Sequence, residues 1–332
     1  MSDRSFELVG LDGANPLGFL AALGVLVILD RKGDRGARLR WIRRQTWIPV
    51  LDQVSSANET DLARTVADGL RGRAVSPVAE DRREAAREAN LQVIRGALPR
   101  AELALGKRIE DATAEHYRQL AEEILTGDDR ARRDELDQLA ALGSDACLNR
   151  GQLEATPFEF TRGSGGQYFL ESVRQLMDRV TPERVHEVLF HLWKYRDKRL
   201  SMRWDPIEDR RYALLDRDPT ASGNEPRTVW MANLLAYRAL ALFPTAPSGR
   251  RLAAAGWNLQ EDPPTFSWPL WDFPVTVDTV RTLVQLPEIT AQCPDRATLS
   301  ARGIVAVYRA QRLKVGSGSN WKFNFSVARR VA

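Results

Sequence analysis

Apolar and polar residues alternate near both ends of the chain, and this period of two predicts strands there. Near the N-terminus, the predicted strands are residues 6–9, 38–42 and 47–51. Near the C-terminus, the stretches 304–315 and 321–331 alternate on either side of the segment Gly-Ser-Gly-Ser-Asn at 316–320. Two alternating stretches around such a segment predict a β-hairpin with a five-residue tip.

The most apolar part of the chain is the 13-residue run from Leu17 to Leu29, which predicts a helix. Asn15-Pro16 is a favourable start, because asparagine caps free N–H groups and proline suits the first helical position. The run is apolar on nearly all sides and shorter than the roughly 20 residues that a bilayer span needs. We therefore expect a buried core helix.

From about residue 60 to residue 142 the pattern changes to Ala, Leu, Glu and Arg with a helical period. Spacing such as Leu62, Val66 and Leu70 predicts four or five amphipathic helices in this stretch. The predicted fold class is α+β, with sheet-containing N- and C-terminal parts, a helical insertion and a C-terminal β-hairpin. The predicted parts are 1–58 (strand, helix and hairpin), 59–150 (the helical insertion) and 151–332 (an α+β part ending in the basic hairpin).

Composition limits the class of function only weakly. The 332 residues include 48 basic and 44 acidic ones, a formal net charge of +4, so a nucleic-acid surface must come from local clustering. Neither Cys147 nor Cys293 stands in a CxxC pair, which excludes a zinc or redox motif of that kind. The sequence starts without a signal-peptide pattern, and we expect a cytoplasmic protein.

The predicted hairpin is the most charge-segregated part of the sequence. Residues 296–332 contain eight basic residues, no Asp or Glu, and several interleaved aromatic residues. In the second strand, Trp321 and Phe323 share one face, and Lys322 lies on the other. Cations neutralise phosphates, so this pattern predicts a nucleic-acid surface. Its predicted contacts are Arg309, Arg312, Lys314, Asn320, Trp321 and Lys322. The alternative is that the aromatic residues belong to the core and the basic face is only solvated.

A glycine-rich segment, Gly163 to Gln167, precedes a predicted helix. Such a turn can bind an anion at the helix N-terminus, but it has neither the Walker spacing nor the GxGxxG spacing of dinucleotide sites. We predict that Arg162 and Gln167 form a second contact to a nucleic-acid phosphate. The alternative is an ordinary junction between a loop and a helix.

Acidic and basic residues cluster between Trp204 and Tyr212. The carboxylates could hold a divalent cation, which makes a metal-dependent nuclease one hypothesis. The neighbouring arginines can neutralise them, so we favour a role in stabilising the loop or docking a partner. That role is predicted for Asp205, Asp209, Arg210 and Arg211.

His186 and His191 lie five positions apart, about 140° on a helix, which argues against a zincin site. We expect no catalytic site, no metal and no cofactor.

Short blocks spread along the chain resemble one protein family. They are residues 11–24 (LDGANPLGFLAALG), 164–170 (SGGQYFL), 203–213 (RWDPIEDRRYA), 232–236 (ANLLA) and 242–244 (LFP). The chain resembles accessory proteins of type I-G (formerly I-U) CRISPR systems. Two relatives fit, the large-subunit-like protein of the effector complex and the family that extends the helicase-nuclease.

The resemblance implies a non-enzymatic subunit of a guide-RNA surveillance or interference complex, in which base pairing reads sequence and protein contacts read the backbone or a flanking motif. Its implied partners are guide RNA, target DNA or both, with other effector subunits in a hetero-oligomeric complex. A competing hypothesis is a protein–protein adaptor that recruits the helicase-nuclease. Its interface would be the Trp- and Pro-rich stretch from Trp257 to Pro274, since large aromatic residues commonly anchor interfaces.

Overall fold

The computed structural model describes residues 4–71, 100–126, 130–163, 166–208, 227–249, 251–317 and 320–332. These residues form helices and several antiparallel sheets, which confirms the predicted α+β fold class. The helices are α1 (Pro16–Arg31), α2 (Glu59–Arg71), α3 (Ala114–Leu125), α4 (Arg130–Leu142), α5 (Phe169–Met177), α6 (Pro182–Phe190), α7 (Trp230–Ala239), α8 (Val277–Val284) and α9 (Arg296–Ala301). Short 3₁₀ turns lie at Ala101–Leu105, Ile109–Asp111, Leu240–Leu242 and Pro287–Thr290.

The strands form two main sheets. The N-terminal sheet contains β1 (Phe6–Glu7), β2 (Arg38–Arg43) and β3 (Trp47–Asp52) in the order β1-β3-β2. The C-terminal sheet contains β10 (Trp257–Asn258), β11 (Thr265–Trp271), β12 (Ile304–Ser317) and β13 (Asn320–Phe325) in chain order, and β14 (Arg329–Arg330) pairs with β12. Three two-stranded pairs are β4 (Leu148–Asn149) with β5 (Gln152–Leu153), β6 (Asp197–Lys198) with β7 (Arg227–Thr228), and β8 (Thr245–Ser248) with β9 (Arg251–Ala254).

Helix α1 is the buried core helix that the sequence predicts. The Asn15 side chain accepts hydrogen bonds from the backbone N–H groups of Leu17 (2.9 Å) and Gly18 (3.4 Å), and Pro16 is the first helical residue. Every residue of the helix from Pro16 to Leu29 is buried. Helix α7 packs directly on it, and a Cβ atom on Gly24 would overlap the carbonyl oxygen of Leu235. Among the described helices, none has the length and apolar character needed to cross a membrane.

The two main sheets share one aromatic core around α1. The Phe19 ring lies 5.8 Å from Trp41 of β2 and 5.9 Å from Trp268 of β11, between ring centroids. At the edge of this layer, the backbone N–H of Leu39 donates to the carbonyl of Val275 at 2.8 Å. The N-terminal and C-terminal strands therefore depend on each other for burial.

The tryptophans of the stretch proposed as an adaptor interface are part of this core. Trp257, Trp268 and Trp271 are 7%, 0% and 0% exposed, and they lie in strands β10 and β11. The indole N–H of Trp268 donates to the carbonyl of Gly13 (2.8 Å), which satisfies its polar atom inside the protein. These tryptophans are internal packing groups, so the prediction that they anchor a partner is wrong.

A buried ion-pair cluster joins the helical part of the chain to α7. Asp134 of α4 accepts from Arg238 of α7 and from Arg100 (3.1 Å), and Arg100 also pairs with Glu102 (2.6 Å). Burial alone would favour the neutral acid, but the guanidinium groups of Arg238 and Arg100 outweigh it and hold the pKa of Asp134 well below its usual range. The cluster is thus charged and internally paired.

Candidate nucleic-acid interface

The C-terminal hairpin extends beyond the strand that supports it. Strand β12 pairs with β11 only as far as Gln311, which lies opposite Thr265. From Arg312 to Ser317 it pairs instead with β13, residues Asn320 to Phe325. We call residues 312–317 and 320–325 the hairpin arm. Its existence confirms the predicted C-terminal hairpin.

The register of the arm decides which side chains share a face. Residues directly opposite each other in an antiparallel pair point to the same side. Lys314 lies opposite Phe323, and Gly316 lies opposite Trp321. Val315 lies opposite Lys322, which puts Lys322 on the other face. The predicted contacts are therefore divided between the two faces. Asn320 begins β13 opposite Ser317, and its side chain lies outside the described part of the protein.

One face of the arm stacks cations on aromatic rings. The Lys314 ammonium lies 4.5 Å from the centroid of the Trp321 ring, and the Arg312 guanidinium lies 4.3 Å from that of Phe323. The two rings meet edge-on with centroids 5.1 Å apart. Contacts of this kind hold a cation by attraction to the ring quadrupole without neutralising its charge. We call Arg312, Lys314, Trp321 and Phe323 the aromatic–basic face.

The aromatic residues of β13 divide between core and surface. Phe325 is 3% exposed and packs 4.7 Å from Phe160, between ring centroids. Trp321 and Phe323 are half-buried and lie further along the arm. The hypothesis that the aromatic residues are core groups therefore applies to Phe325, whereas the outer two rings support the cations.

Arg312 carries a charge that its surroundings do not compensate. Its side chain donates to the carbonyl of Pro157 (3.1 Å), and no described carboxylate forms an ion pair with it. Burial, and then the neighbouring positive charge of Arg162, lower the pKa of Arg312 to about 10. The group is still protonated at neutral pH. A bound anion would offset both unfavourable effects.

Arg162 lies at the base of the aromatic–basic face and is already paired. Its guanidinium lies 5.9 Å from the Phe323 ring, 3.3 Å from a Glu110 oxygen and 3.6 Å from a Glu159 oxygen. Glu159 is fully buried, and this burial together with the Glu110 charge raises its pKa well above the usual range. Arg162 thus links the arm to the helical part of the chain. Because it is paired with carboxylates, it attracts an anion less strongly than Arg312 does.

Arg309 does not belong to this surface, contrary to its prediction as a contact. It is 3% exposed, and it donates to Ser267 Oγ (2.8 Å) and to the carbonyls of Ile289 (3.3 Å) and Ala291 (2.5 Å). Burial lowers its pKa. The strand period could have revealed this difference, because an interval of three places Arg309 and Arg312 on opposite faces of β12.

Two of the backbone donors that follow the glycine-rich turn are already bonded inside the protein. The first amides of α5, those of Leu170 and Glu171, both donate to the carbonyl of Lys107, at 3.1 and 3.3 Å. Gln167 accepts from the backbone N–H of Leu200 (2.7 Å). This bond uses the side-chain oxygen of Gln167, and its predicted contact to a phosphate stays a prediction. Residues 164–165 lie outside the described residues.

Asp205 is a buried link between two loops and α1. It accepts hydrogen bonds from Asn15 Nδ2 (2.9 Å), from the Tyr195 hydroxyl (2.7 Å) and from the backbone N–H of Ile207 (2.9 Å). The same asparagine therefore caps α1 and holds this carboxylate, whose pKa is raised by burial. Asp209, Arg210 and Arg211, predicted to share its role, lie outside the described residues.

Glu208 lies beside Asp205 and is buried as well. It accepts from the hydroxyls of Ser201 (2.6 Å) and Thr228 (2.5 Å). Burial, and then the neighbouring Asp205 charge, raise the pKa of Glu208 to about 8. Within the described ranges, no group of three or more His, Cys, Asp or Glu residues is arranged to hold a metal ion.

The two neighbouring histidines are closer than a continuous helix would place them. Helix α6 ends at Phe190, so His191 leaves the helical path. Its imidazole lies 5.5 Å from that of His186, between ring centroids, and His186 Nε2 lies 3.4 Å from a Glu59 oxygen. The predicted separation of about 140° is wrong because it assumed an uninterrupted helix.

The described site is therefore the aromatic–basic face, with Arg162 at its base and Lys322 on the opposite side of the arm. No protein-family model matches the chain, and no curated protein matches it significantly. The resemblance to type I-G CRISPR accessory proteins stays a prediction.

Proposed function

We propose that this chain is a non-enzymatic, cytoplasmic subunit of a type I CRISPR guide-RNA complex. Its hairpin arm contacts the backbone of guide RNA, target DNA or both. The observation that carries the proposal is the stacking of Lys314 on Trp321 and of Arg312 on Phe323, on an arm whose surrounding sequence, residues 296–332, has no acidic residue.

The charge on this face is well suited to phosphates. Lys314 is exposed and its ammonium contacts a ring, while Arg312 has no ion pair with a described carboxylate. A phosphate that approaches these groups releases counterions and meets cations whose positions are already fixed by the rings. Backbone contacts of this kind position a strand without reading its bases. That division of labour suits a complex in which a guide RNA supplies the sequence specificity.

The adaptor hypothesis loses its proposed anchors, because the tryptophans on which it depended are buried. The nuclease hypothesis depends on Asp205, Glu208 and Asp209. Asp205 and Glu208 lie in the core, bonded to neutral donors, and Asp209 lies outside the described residues. We therefore put forward the nucleic-acid-binding subunit alone.

The direct test measures binding of the purified chain to a short single-stranded RNA and to a DNA duplex by fluorescence anisotropy, over about 50 to 200 mM salt. We expect Lys314→Gln/Lys322→Gln to bind more weakly to every sequence. The slope of log affinity against log salt should fall by about two, since each phosphate contact contributes about one. The matched control is Arg64→Gln/Arg118→Gln, which removes two charges from exposed helical positions.

The same variants test the complex in cells that express the neighbouring effector subunits and a guide RNA. Wild-type protein should recover RNA together with protein subunits, and the arm variant should recover the proteins with less RNA. Equal binding of wild type, arm variant and control in both assays would reject the arm as the contact. Recovery of protein subunits without any nucleic acid would favour the adaptor hypothesis instead.

A further inference from the structure

Two carboxylates flank the guanidinium of Arg162 at the base of the aromatic–basic face. Glu110 belongs to the 3₁₀ turn Ile109–Asp111, and Glu159 belongs to the loop between β5 and α5. Their oxygens lie 3.3 and 3.6 Å from nitrogens of the guanidinium. We call these three residues the Arg162 cluster. One positive charge faces two carboxylates, so the charges balance only when one carboxylate holds a proton.

Glu159 is the member of the cluster that is removed from water. It is 0% exposed, and neither of its oxygens accepts a well-formed hydrogen bond from a described group. An ionised carboxylate without donors is costly to bury, and two adjacent carboxylates resist losing both protons. Burial, and then the charge of Glu110, therefore raise the pKa of Glu159 well above its ordinary 4.5, although Arg162 acts in the opposite direction.

Further charged groups around the Arg162 cluster come from the 3₁₀ turn, from the loop after β5 and from the arm. Arg108 acts on both carboxylates of the cluster, but it forms an ion pair with Asp111 at 2.8 Å. Glu154 acts on Arg312 of the arm. Among the described cations, Arg162 is therefore the one that forms ion pairs with the two carboxylates.

The Arg162 cluster contacts the hairpin arm directly. The guanidinium of Arg162 lies 5.9 Å from the centroid of the Phe323 ring, and that of Arg312 lies 4.3 Å from the same centroid. The backbone N–H of Phe323 donates to the carbonyl of Phe160 (3.3 Å), the residue that follows Glu159. After burial, the charge of Arg162 is the next cause of the lowered pKa of Arg312. A change of charge in the cluster therefore acts on the cations of the arm.

We propose that Glu110 and Glu159 share one proton, and that this proton determines how strongly the arm attracts the phosphates of nucleic acid. The inference rests on the proposed function of the arm. With the proton in place, the three charges of the cluster sum to zero, and an anion meets the full charge of Arg312. Loss of the proton leaves one negative charge beside Arg162, which repels a phosphate on the arm. Glu159 is thus a positioning residue that acts through Arg162.

The direction of the pH dependence follows from this negative charge. A phosphate on the arm opposes ionisation of the cluster, so the pKa of the cluster is higher in the complex than in the free protein. Affinity should be highest below the pKa of the free protein, fall as the pH rises through both values, and be constant above them. One charge at roughly 10 Å from a phosphate corresponds to a change in affinity of about 2- to 15-fold.

The test measures the affinity of the whole chain for single-stranded RNA by fluorescence anisotropy, between about pH 5.5 and 9. The RNA carries hydroxyl groups at both ends, because a terminal phosphate has a second pKa of about 6. Wild-type affinity should fall about 2- to 15-fold over this range. Glu159→Gln, which stays neutral, should bind like wild type at low pH and keep that affinity at high pH. Glu122→Gln, which removes an exposed carboxylate from α3, should follow the wild-type curve.

A second variant serves if Glu159→Gln fails to fold by its thermal melting curve. Glu110→Gln removes the neighbouring carboxylate charge, so the fall in affinity should move to lower pH. Both variants should bind more tightly than wild type at high pH. A purely structural role of these carboxylates would instead weaken binding at every pH.

The outcomes separate this inference from the proposed function. Wild-type affinity that does not change with pH, and is still lost in Lys314→Gln/Lys322→Gln, overturns the inference and leaves the proposed function intact. An equal pH dependence in wild type, Glu159→Gln and Glu110→Gln also overturns it, because another group then carries the proton. If the wild-type chain binds no nucleic acid at any pH, the proposed function is rejected and the inference with it.

Discussion

Lys314 and Trp321 come from opposite strands of the hairpin arm, and the ammonium of one lies 4.5 Å from the ring centroid of the other. They are diagonal neighbours, because Lys314 lies opposite Phe323 and Trp321 lies opposite Gly316. The pair therefore combines a fixed cation with an aromatic surface at the outer end of the arm.

Trp321 should matter for binding and little for stability. Trp321→Ala removes both the support for Lys314 and a surface on which a base can stack, so affinity for single-stranded RNA should fall about 5- to 150-fold. Trp321→Phe keeps a ring and should retain most of the affinity. The measurement is anisotropy with both variants at one salt concentration. If the alanine and phenylalanine variants bind alike, the ring has no role in recognition.

Arg309 and Lys314 should show opposite effects although both are basic residues of β12. Arg309→Gln removes charged hydrogen bonds inside the protein and should lower the free energy of unfolding by about 1.5–3 kcal/mol, with little change in nucleic-acid affinity. Lys314→Gln should lower affinity and leave stability nearly unchanged. Urea unfolding and anisotropy of both variants decide the matter. Loss of affinity in a folded Arg309→Gln protein would contradict the assignment of Arg309 to the core.

Asp134 should be among the costliest carboxylates to remove. Asp134→Ala leaves the buried guanidinium groups of Arg100 and Arg238 without their shared acceptor, and the free energy of unfolding should fall by about 3–5 kcal/mol. The control is Asp145→Ala, which breaks an exposed pair with Arg118 and should cost about 1 kcal/mol or less. Both values come from urea unfolding curves. Similar losses in the two variants would show that the cluster is not internally compensated.

The free energy of unfolding should fall as the pH rises from about 4.5 to about 8 because of Glu208. Burial raises the pKa of Glu208 from its ordinary 4.5 to about 8, so the folded state keeps a proton that the unfolded state has released. This stabilisation is complete below about pH 4.5, is lost progressively as the pH rises towards 8, and does not change further above that pH. Glu208→Gln stays neutral, and its unfolding free energy should fall less between pH 6 and 9 than that of wild type.

The control for this pH dependence is Glu122→Gln, at an exposed position on α3, which should follow the wild-type curve. Urea midpoints at several pH values provide the comparison. Parallel curves for wild type and Glu208→Gln would mean that Glu208 is ionised in the folded protein at neutral pH.

Local signals in the sequence predicted the elements that depend on local chemistry. The cap at Asn15 and the proline that follows it determine the start of α1 through bonds within three residues. The alternation on both sides of residues 316–320 predicted the hairpin for a similar reason. The same alternation also contained the information that Arg309 and Arg312 face opposite sides, so that error came from counting charges without assigning faces.

Long-range contacts determine whether the Trp- and Pro-rich stretch is exposed or buried, and local patterns in the sequence do not show these contacts. A stretch rich in Trp and Pro is compatible with an exposed interface and with a buried strand. Whether such tryptophans are buried depends on whether carbonyl groups from distant parts of the chain accept hydrogen bonds from the indole N–H groups. Here Trp271 donates to the carbonyl of Leu39 (2.7 Å), and Trp268 donates to that of Gly13.

Strand β12 gives the arm a mechanical property. It begins at Ile304, passes between β11 and β14 at Tyr308 and Arg309, and continues without a break to Ser317. The arm is therefore anchored in the core through one continuous strand, and no loop separates it from the C-terminal sheet. A load applied at Lys314 would therefore be carried by the continuous backbone of β12 to its hydrogen bonds with β11 and β14.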